Sequence, residues 1–550
     1  MNRKSAVSLL KSEQFDLCII GGGASGTGCA LDAALRGYKV ALIDQEDFAG
    51  QTSSRSTKLI HGGVRYLDQA FKKLDLGQLK QVRHGLQERH IVLSNAPHLA
   101  RPLPLLTPVN SWLEGLYFTI GLRLYDQFAV NDSLPKSKWL NKKEVLQKMP
   151  TLNKRKLHSA VQYYDGQLDD ARYCLALAQS AADAGAVAAN YVQVQAFQKD
   201  LDGKLQQVVA RDMLTEEDIV IHAAKVINCT GPFADSIRQM ANPSLAKRLR
   251  PSKGVHISLP AAVLNSSCAM LIPKTSDGRV VFAIPFEGVT MLGTTDTEYT
   301  HLDQEPLLTE SEKKYLADTL SPYLEKPVSL ADIQAGFGGL RPLLSAQEAK
   351  STKTLVRDHE VEVDSDSGLV SLLGGKWTTY RLMAKDAIDE VDRQLGHPRA
   401  CTTERHILKG GNGYSYEIWE DISTNYGLEP SVAQHLAQKY GMLGPEVAQL
   451  AVSRPEWKER IHPEYPFILA EIPYCVRHEM VVNIRDYLAR RTRLELLDWN
   501  ACLQVASQVG QLIGEELDWS PALLTRNVDS YRELIKGFIK EAGLAGPSEI

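Results

Sequence analysis

The segment 15–44, FDLCIIGGGASGTGCALDAALRGYKVALID, limits what this chain can fold into more than any other stretch. A β-rich run at 15–20 leads into Gly21, Gly23 and Gly26 at G-x-G-x-x-G spacing. A small-residue helix follows over 27–35, and 39–43 forms a second strand that ends at Asp44. This is a βαβ unit that binds a dinucleotide through its phosphates. Gly21 permits the tight turn, Gly23 lets backbone approach a pyrophosphate, and Gly26 lets the helix lie against the strand. The helix N-terminus, with Ala24 and Ser25 in its first turn, then points at the anion. Asp44 is placed to accept hydrogen bonds from ribose hydroxyls. A glycine turn made only for packing needs none of the second strand, the terminal acid or their order.

Composition adds limits. A chain of 550 residues, 44% hydrophobic, has material for two or three domains with sizeable cores. A net charge of −4 gives no global attraction to nucleic acid, so no nucleic-acid partner is expected. The eight cysteines are far apart and form no C-x-x-C, which fits a reducing, cytoplasmic compartment. The N-terminal MNRKSAVSLLKSEQ reads as too short and polar for a secretory signal, and no stretch has the about 20 apolar residues that span a bilayer. A soluble protein or one on a membrane surface is expected.

Further segments decide between a loosely bound nicotinamide and a resident flavin. Residues 218–235 give a strand ending in Cys229, Thr230 and Gly231, a small turn that brings a second strand close to a bound dinucleotide. Residues 192–197, the Asp202-Gly203 turn and 206–209 read as a hairpin, either plain sheet or one whose Val194 backbone meets an adenine edge. A strand at 368–373 runs into a turn containing Gly375, Lys376, Thr378 and Thr379. An amphipathic helix follows, with Tyr380, Met383, Ala384, Ala387, Ile388 and Val391 on one face. The start of that helix suits the N1–C2=O edge of a reduced flavin.

These features, together with TSSRSTKLIHGGVRYL at 52–67, VVFAIP at 280–285, GTTDTEY at 293–299 and GGKWTTYR at 374–381, resemble the bacterial FAD-dependent, aerobic-type glycerol-3-phosphate dehydrogenases over about 15–395. The resemblance implies an α/β fold with three parts. They are a glutathione-reductase-type FAD-binding Rossmann domain, an interleaved antiparallel-sheet substrate domain and a C-terminal helical cap. It also implies non-covalent FAD and oxidation of sn-glycerol 3-phosphate to dihydroxyacetone phosphate, with electrons passed to membrane quinone.

Such a reaction needs a hydride acceptor, a group for the hydroxyl proton and cations for a phosphate. Arg65, Tyr66, Arg341, Arg357 and Lys376 stand at positions that contact substrate in the family. Arg341 follows two glycines and precedes Pro342, a turn that presents its guanidinium. His256 is the proton acceptor, or else only positions substrate while Arg341 or a water closes the proton balance. Thr52, Ser53, Ser54, Lys58 and Leu59 are expected at the pyrophosphate or flavin, although a Ser or Thr there also suits a helix cap. His61 lies where some related flavoenzymes attach FAD covalently.

No metal site is expected. Asp364-Ser-Asp-Ser-Gly368 has Gly375 where a calcium loop needs its bidentate glutamate, so it reads as a hairpin turn. The motif positions divide the chain into FAD-binding segments at 15–90, 155–250 and 335–398, substrate-binding segments at 91–154 and 251–334, and a helical cap at 399–550. Within the cap, 432–440, 480–491 and 499–517 are periodic. Aromatic and apolar residues at 112–128, followed by lysines and an arginine between 136 and 156, suit an anionic lipid surface or else a plain helix with a solvated loop. With the resemblance, peripheral association with the inner face of the cell membrane is expected, and a homodimer is left open. A soluble oxidase that reduces oxygen, or a scaffold with a non-reacting FAD, is the alternative.

Overall fold

The computed structural model describes residues 1–62, 76–128, 134–273, 275, 278–345, 359–396 and 398–546. An eight-stranded sheet is built around Gln14–Ile20, which pairs in parallel with Val40–Ile43 on one side and Asp218–Asn228 on the other. Val187–Ala189 and Val370–Gly374 extend the parallel set outward. Strands buried on both faces must be apolar throughout, and Leu17, Cys18, Ile19, Val40, Ala41, Leu42 and Ile43 are all inaccessible to solvent. The expected hairpin is present as Val192–Lys199 against Leu205–Asp212, with a bulge between Val194 and Ala196. His359–Val363 closes the far edge antiparallel to Val370–Gly374, and Asp364 caps the turn between them by accepting from Ser367 N–H.

A ten-stranded, mostly antiparallel sheet holds Ser252–Pro260, Val281–Phe286 and Val289–Gly293 at its centre. Ala335–Arg341 pairs with Ser252–Pro260 and sets Phe337 opposite His256. Three strands of this sheet, Leu59–Ile60, Ser159–Leu168 and Ala335–Arg341, lie in stretches that the sequence reading gave to the cofactor side. Each carries the chain across from one sheet to the other, a crossing that motif spacing does not record.

Beyond residue 400 the chain is helical, with Pro430–Tyr440, Glu471–Glu479, Trp499–Glu516 and Pro521–Glu541 among its elements. Its apolar residues merge with those of the ten-stranded sheet in one continuous core. The periodic stretch at 480–491 is not one helix. Glu471–Glu479 ends at Met480 in the left-handed region, φ +56°, and a π turn follows over Asp486–Arg491. The wider turn lets the adjacent Arg490 and Arg491 both reach Asp47, at 2.6 and 2.9 Å. The arginines at 485, 490, 491 and 493 all sit in such ion pairs.

Candidate active site

The dinucleotide turn has the expected shape. Gly21 has φ +107°, and a Cβ there would lie 2.6 Å from the Cys229 carbonyl oxygen. A Cβ on Gly26 would lie 1.7 Å from the Gly21 oxygen, so helix Ala24–Leu35 packs on the strand only as glycine. At the mouth of that helix the Ala24 N–H donates to Ser53 Oγ at 2.9 Å, and Ser25 lies in the same first turn. The donors and the shape fit a dinucleotide pyrophosphate. Asp44 accepts from the Gly22 and Glu46 amides, and burial pushes its carboxyl up to about 7. The Asp44 carbonyl accepts from Val192 N–H at 2.7 Å, which ties the start of the strand that carries Val194 to Asp44. Thr230, bonded to Asn228, and Gly231, φ +55°, form the second small turn. Gly375, φ +89°, precedes Lys376, a short turn over Trp377–Thr379 that contains Thr378, and helix Tyr380–Leu395. Thr379 Oγ donates back to the Lys376 carbonyl.

Segment 52–58 runs between the two sheets and is held from every side. Thr52 Oγ donates to the Leu340 carbonyl, Trp377 Nε1 donates to the Ser53 carbonyl, and Arg55 pairs with Glu305 at 2.6 Å. Ser54 is buried. Lys58, expected at a phosphate or the flavin, is fully buried instead. Its ammonium donates to the carbonyls of Ser54 and Ser56 and to Asp170, so its three protons are spent inside the protein. Burial pulls it down to about 7 against the opposing pull of Asp170. Leu59 faces the apolar core behind the segment.

His256 and Arg341 meet on the sheet face next to this segment. The His256 Nε2 lies 3.0 Å from Thr57 Oγ, its ring stacks on Phe337 at 4.8 Å, and its Nδ1 has no hydrogen-bond partner. Burial, with Lys58 and Arg341 as cationic neighbours, holds the imidazole well below its ordinary value. In the tautomer whose Nε2–H donates to Thr57 Oγ, the neutral ring keeps the Nδ1 lone pair open for a proton. The Arg341 Nη2 donates to Thr294 Oγ and the Thr295 carbonyl, each at 3.0 Å. It occupies space left by Gly254, where a Cβ would come within 2.2 Å of that nitrogen. Arg65, Tyr66 and Arg357 lie outside the described residues.

Comparison with known proteins agrees with this geometry. Residues 16–381 match the family described as FAD dependent oxidoreductase, and 401–523 match the C-terminal domain of alpha-glycerophosphate oxidase. The chain is 41% identical over 537 residues to the probable mitochondrial glycerol-3-phosphate dehydrogenase of Caenorhabditis elegans, covering 96% of this chain and 74% of that protein. It is 40% identical to the mitochondrial glycerol-3-phosphate dehydrogenase of Homo sapiens, with 96% and 74% covered. A Bacillus halodurans glycerol-3-phosphate dehydrogenase solved with FAD superposes with a TM-score of 0.80 at 31% identity over 99% of both chains. The chain belongs to the FAD-dependent glycerol-3-phosphate dehydrogenase family.

Two motif residues whose local sequence suggests no role stand at the site. Thr57 orients His256, and Trp377 fixes the Ser53 carbonyl. Two more, Asp170 and Arg493, reach segment 52–58 from far along the chain and carry no local signal. FAD is the family's cofactor, and the glycine turn, Asp44 and the helix N-terminus are the residues that would hold it.

Proposed function

We propose that the chain oxidises sn-glycerol 3-phosphate to dihydroxyacetone phosphate and passes the electrons to membrane quinone. The observation that carries this reading is the neutral, half-unpartnered His256 beside Arg341 on the sheet that faces the dinucleotide turn. When bound, FAD supplies the acceptor for the hydride that leaves C2 of the alcohol. His256 takes the hydroxyl proton on its free nitrogen, and Phe337 and Thr57 hold the ring in place while it does so. Arg341, with Lys376 and the motif residues Arg65, Tyr66 and Arg357, binds the phosphate dianion. Asp44 accepts from the cofactor ribose, and Ser53, Thr52, Ser54, Thr378 and Thr379 line its cradle without a covalent link.

The test is anaerobic titration of the purified flavoprotein with glycerol 3-phosphate, which should bleach the flavin absorbance. A spectrum that does not change refutes the reading. The match of 401–523 to an oxidase domain favours one alternative, electron transfer to oxygen. Oxygen uptake that a quinone analogue does not suppress would establish it.

No helix among the described residues is long and apolar enough to cross a membrane. Helix Trp112–Phe128 turns Gly115, Thr119, Leu122 and Tyr125 inward and leaves Trp112, Leu113, Tyr117 and Ile120 more than half exposed. Exposed Lys136, Lys138, Lys142, Lys143, Lys154, Arg155 and Lys156 follow. That combination supports docking of this face on an anionic bilayer, on the cytoplasmic side.

A further inference from the structure

Among the side chains by which the helical region beyond residue 400 reaches the dinucleotide side, Arg493 bonds directly to segment 52–58. Arg493 is fully buried and has φ +71°, a strained conformation for a residue with a side chain. Its Nη2 donates both to the Ser54 carbonyl, at 2.6 Å, and to Asp170 Oδ1, at 2.7 Å, while Nη1 donates to the Ala489 carbonyl. The other oxygen of Asp170 accepts from Ser56 N–H, Ser56 Oγ and Lys58 Nζ at 3.0, 2.7 and 2.7 Å. One carboxylate and one guanidinium therefore fix the middle of segment 52–58. That segment meets the dinucleotide helix through Ser53 at one end and His256 through Thr57 at the other. A buried ion pair contributes little net stability compared with an apolar replacement, so its physical value here is in fixing geometry.

We infer that Arg493 and Asp170 are positioning residues for the oxidation, and that the C-terminal helical region sets the distance between the proton acceptor and the dinucleotide turn through them. This rests on the function proposed above, since it needs a reaction whose proton and hydride acceptors must be aligned. The guanidinium of Arg493 spans three acceptors, Ala489 from Nη1 and Ser54 and Asp170 from Nη2, and the single nitrogen of a lysine on a shorter stem cannot hold the same three positions.

The experiment uses the holoenzyme and follows flavin bleaching by glycerol 3-phosphate in an anaerobic stopped-flow instrument. For Arg493→Lys, FAD content should stay normal and half-saturation should stay within a factor of about three. The limiting rate should fall about 10- to 100-fold, the scale expected for a small misplacement of reacting groups. Ser56→Ala removes one of the hydrogen bonds by which Asp170 holds the segment, leaves the Ser56 N–H and Arg493 bonds in place, and should give a smaller fall of the limiting rate with half-saturation again unchanged. If Arg493→Lys fails to fold, Ser56→Ala alone decides. A limiting rate equal to wild type in a variant that holds FAD overturns the inference. Wild-type protein that is not bleached at all refutes the proposed function instead, so the two failures are separate.

Discussion

Charge at single residues governs both halves of the site. Arg341 offers charge-assisted hydrogen bonds that contribute about 1.5–3 kcal/mol each. Arg341→Ala should therefore lower kcat/KM for glycerol 3-phosphate roughly 10- to 100-fold, and the protein should still be isolated with a full complement of FAD. Steady-state kinetics and the absorbance ratio of the purified variant check both parts. Asp44 gives a pH dependence. In the folded apoprotein its carboxyl titrates near 7, raised chiefly by burial, against an ordinary value of 3.8. Between those values the folded chain keeps a proton that the unfolded chain releases, so the contribution turns unfavourable as pH rises through that window and is constant above it. The apoprotein's melting temperature should carry a falling component from pH 4 to 7 that disappears in Asp44→Asn. Ribose hydroxyls donate to the ionised form, so FAD affinity should rise over the upper part of the same range and then level. His256 has the opposite sign. Its folded value lies below 6.5, so it costs stability only as pH falls beneath 6.5, and a protonation that stops turnover should appear well below that point.

At the scale of strands and turns, the same substitution at two glycines should have separate effects. Gly254→Ala places a methyl group 2.2 Å from Arg341 Nη2 and 2.6 Å from Thr294 Oγ, so it should weaken substrate use about tenfold, as loss of one charged hydrogen bond does. It should leave FAD in place. Gly26→Ala places its methyl group 1.7 Å from a backbone oxygen that has nowhere to move, and should yield protein without FAD. The second outcome was legible in the sequence, because strand, turn and helix are contiguous and G-x-G-x-x-G states its own geometry. The first was not, since Gly254 and Arg341 meet only through the register of Ser252–Pro260 with Ala335–Arg341. The amphipathic helix Tyr380–Leu395 was readable for the same local reason, and its apolar face is buried as its spacing predicts. The break at Met480 was hidden, because the periodicity of 480–491 is equally compatible with a continuous helix. The first helix ends at the left-handed Met480, and the π turn beyond it is held by Asp47, far away in sequence. Lys58 shows the same limit. Its place in a cofactor motif pointed outward to a ligand, and Asp170 turns it inward.

Across the whole molecule, buried charge joins the helical region to the dinucleotide side. Asp47 is fully buried and accepts from both Arg490 and Arg491. Asp47→Ala leaves two buried guanidinium groups without that partner and should cost about 3–5 kcal/mol, read as a lower melting temperature with FAD bound. Segment 52–58 is held by contributions that begin at Ala24 and end at Arg493. During synthesis the cradle therefore has no finished wall until the ribosome has extruded the chain past Arg493. Capture of the cofactor waits for that stage of maturation, and a chain halted before it has no centre at which electrons could be drawn from substrate.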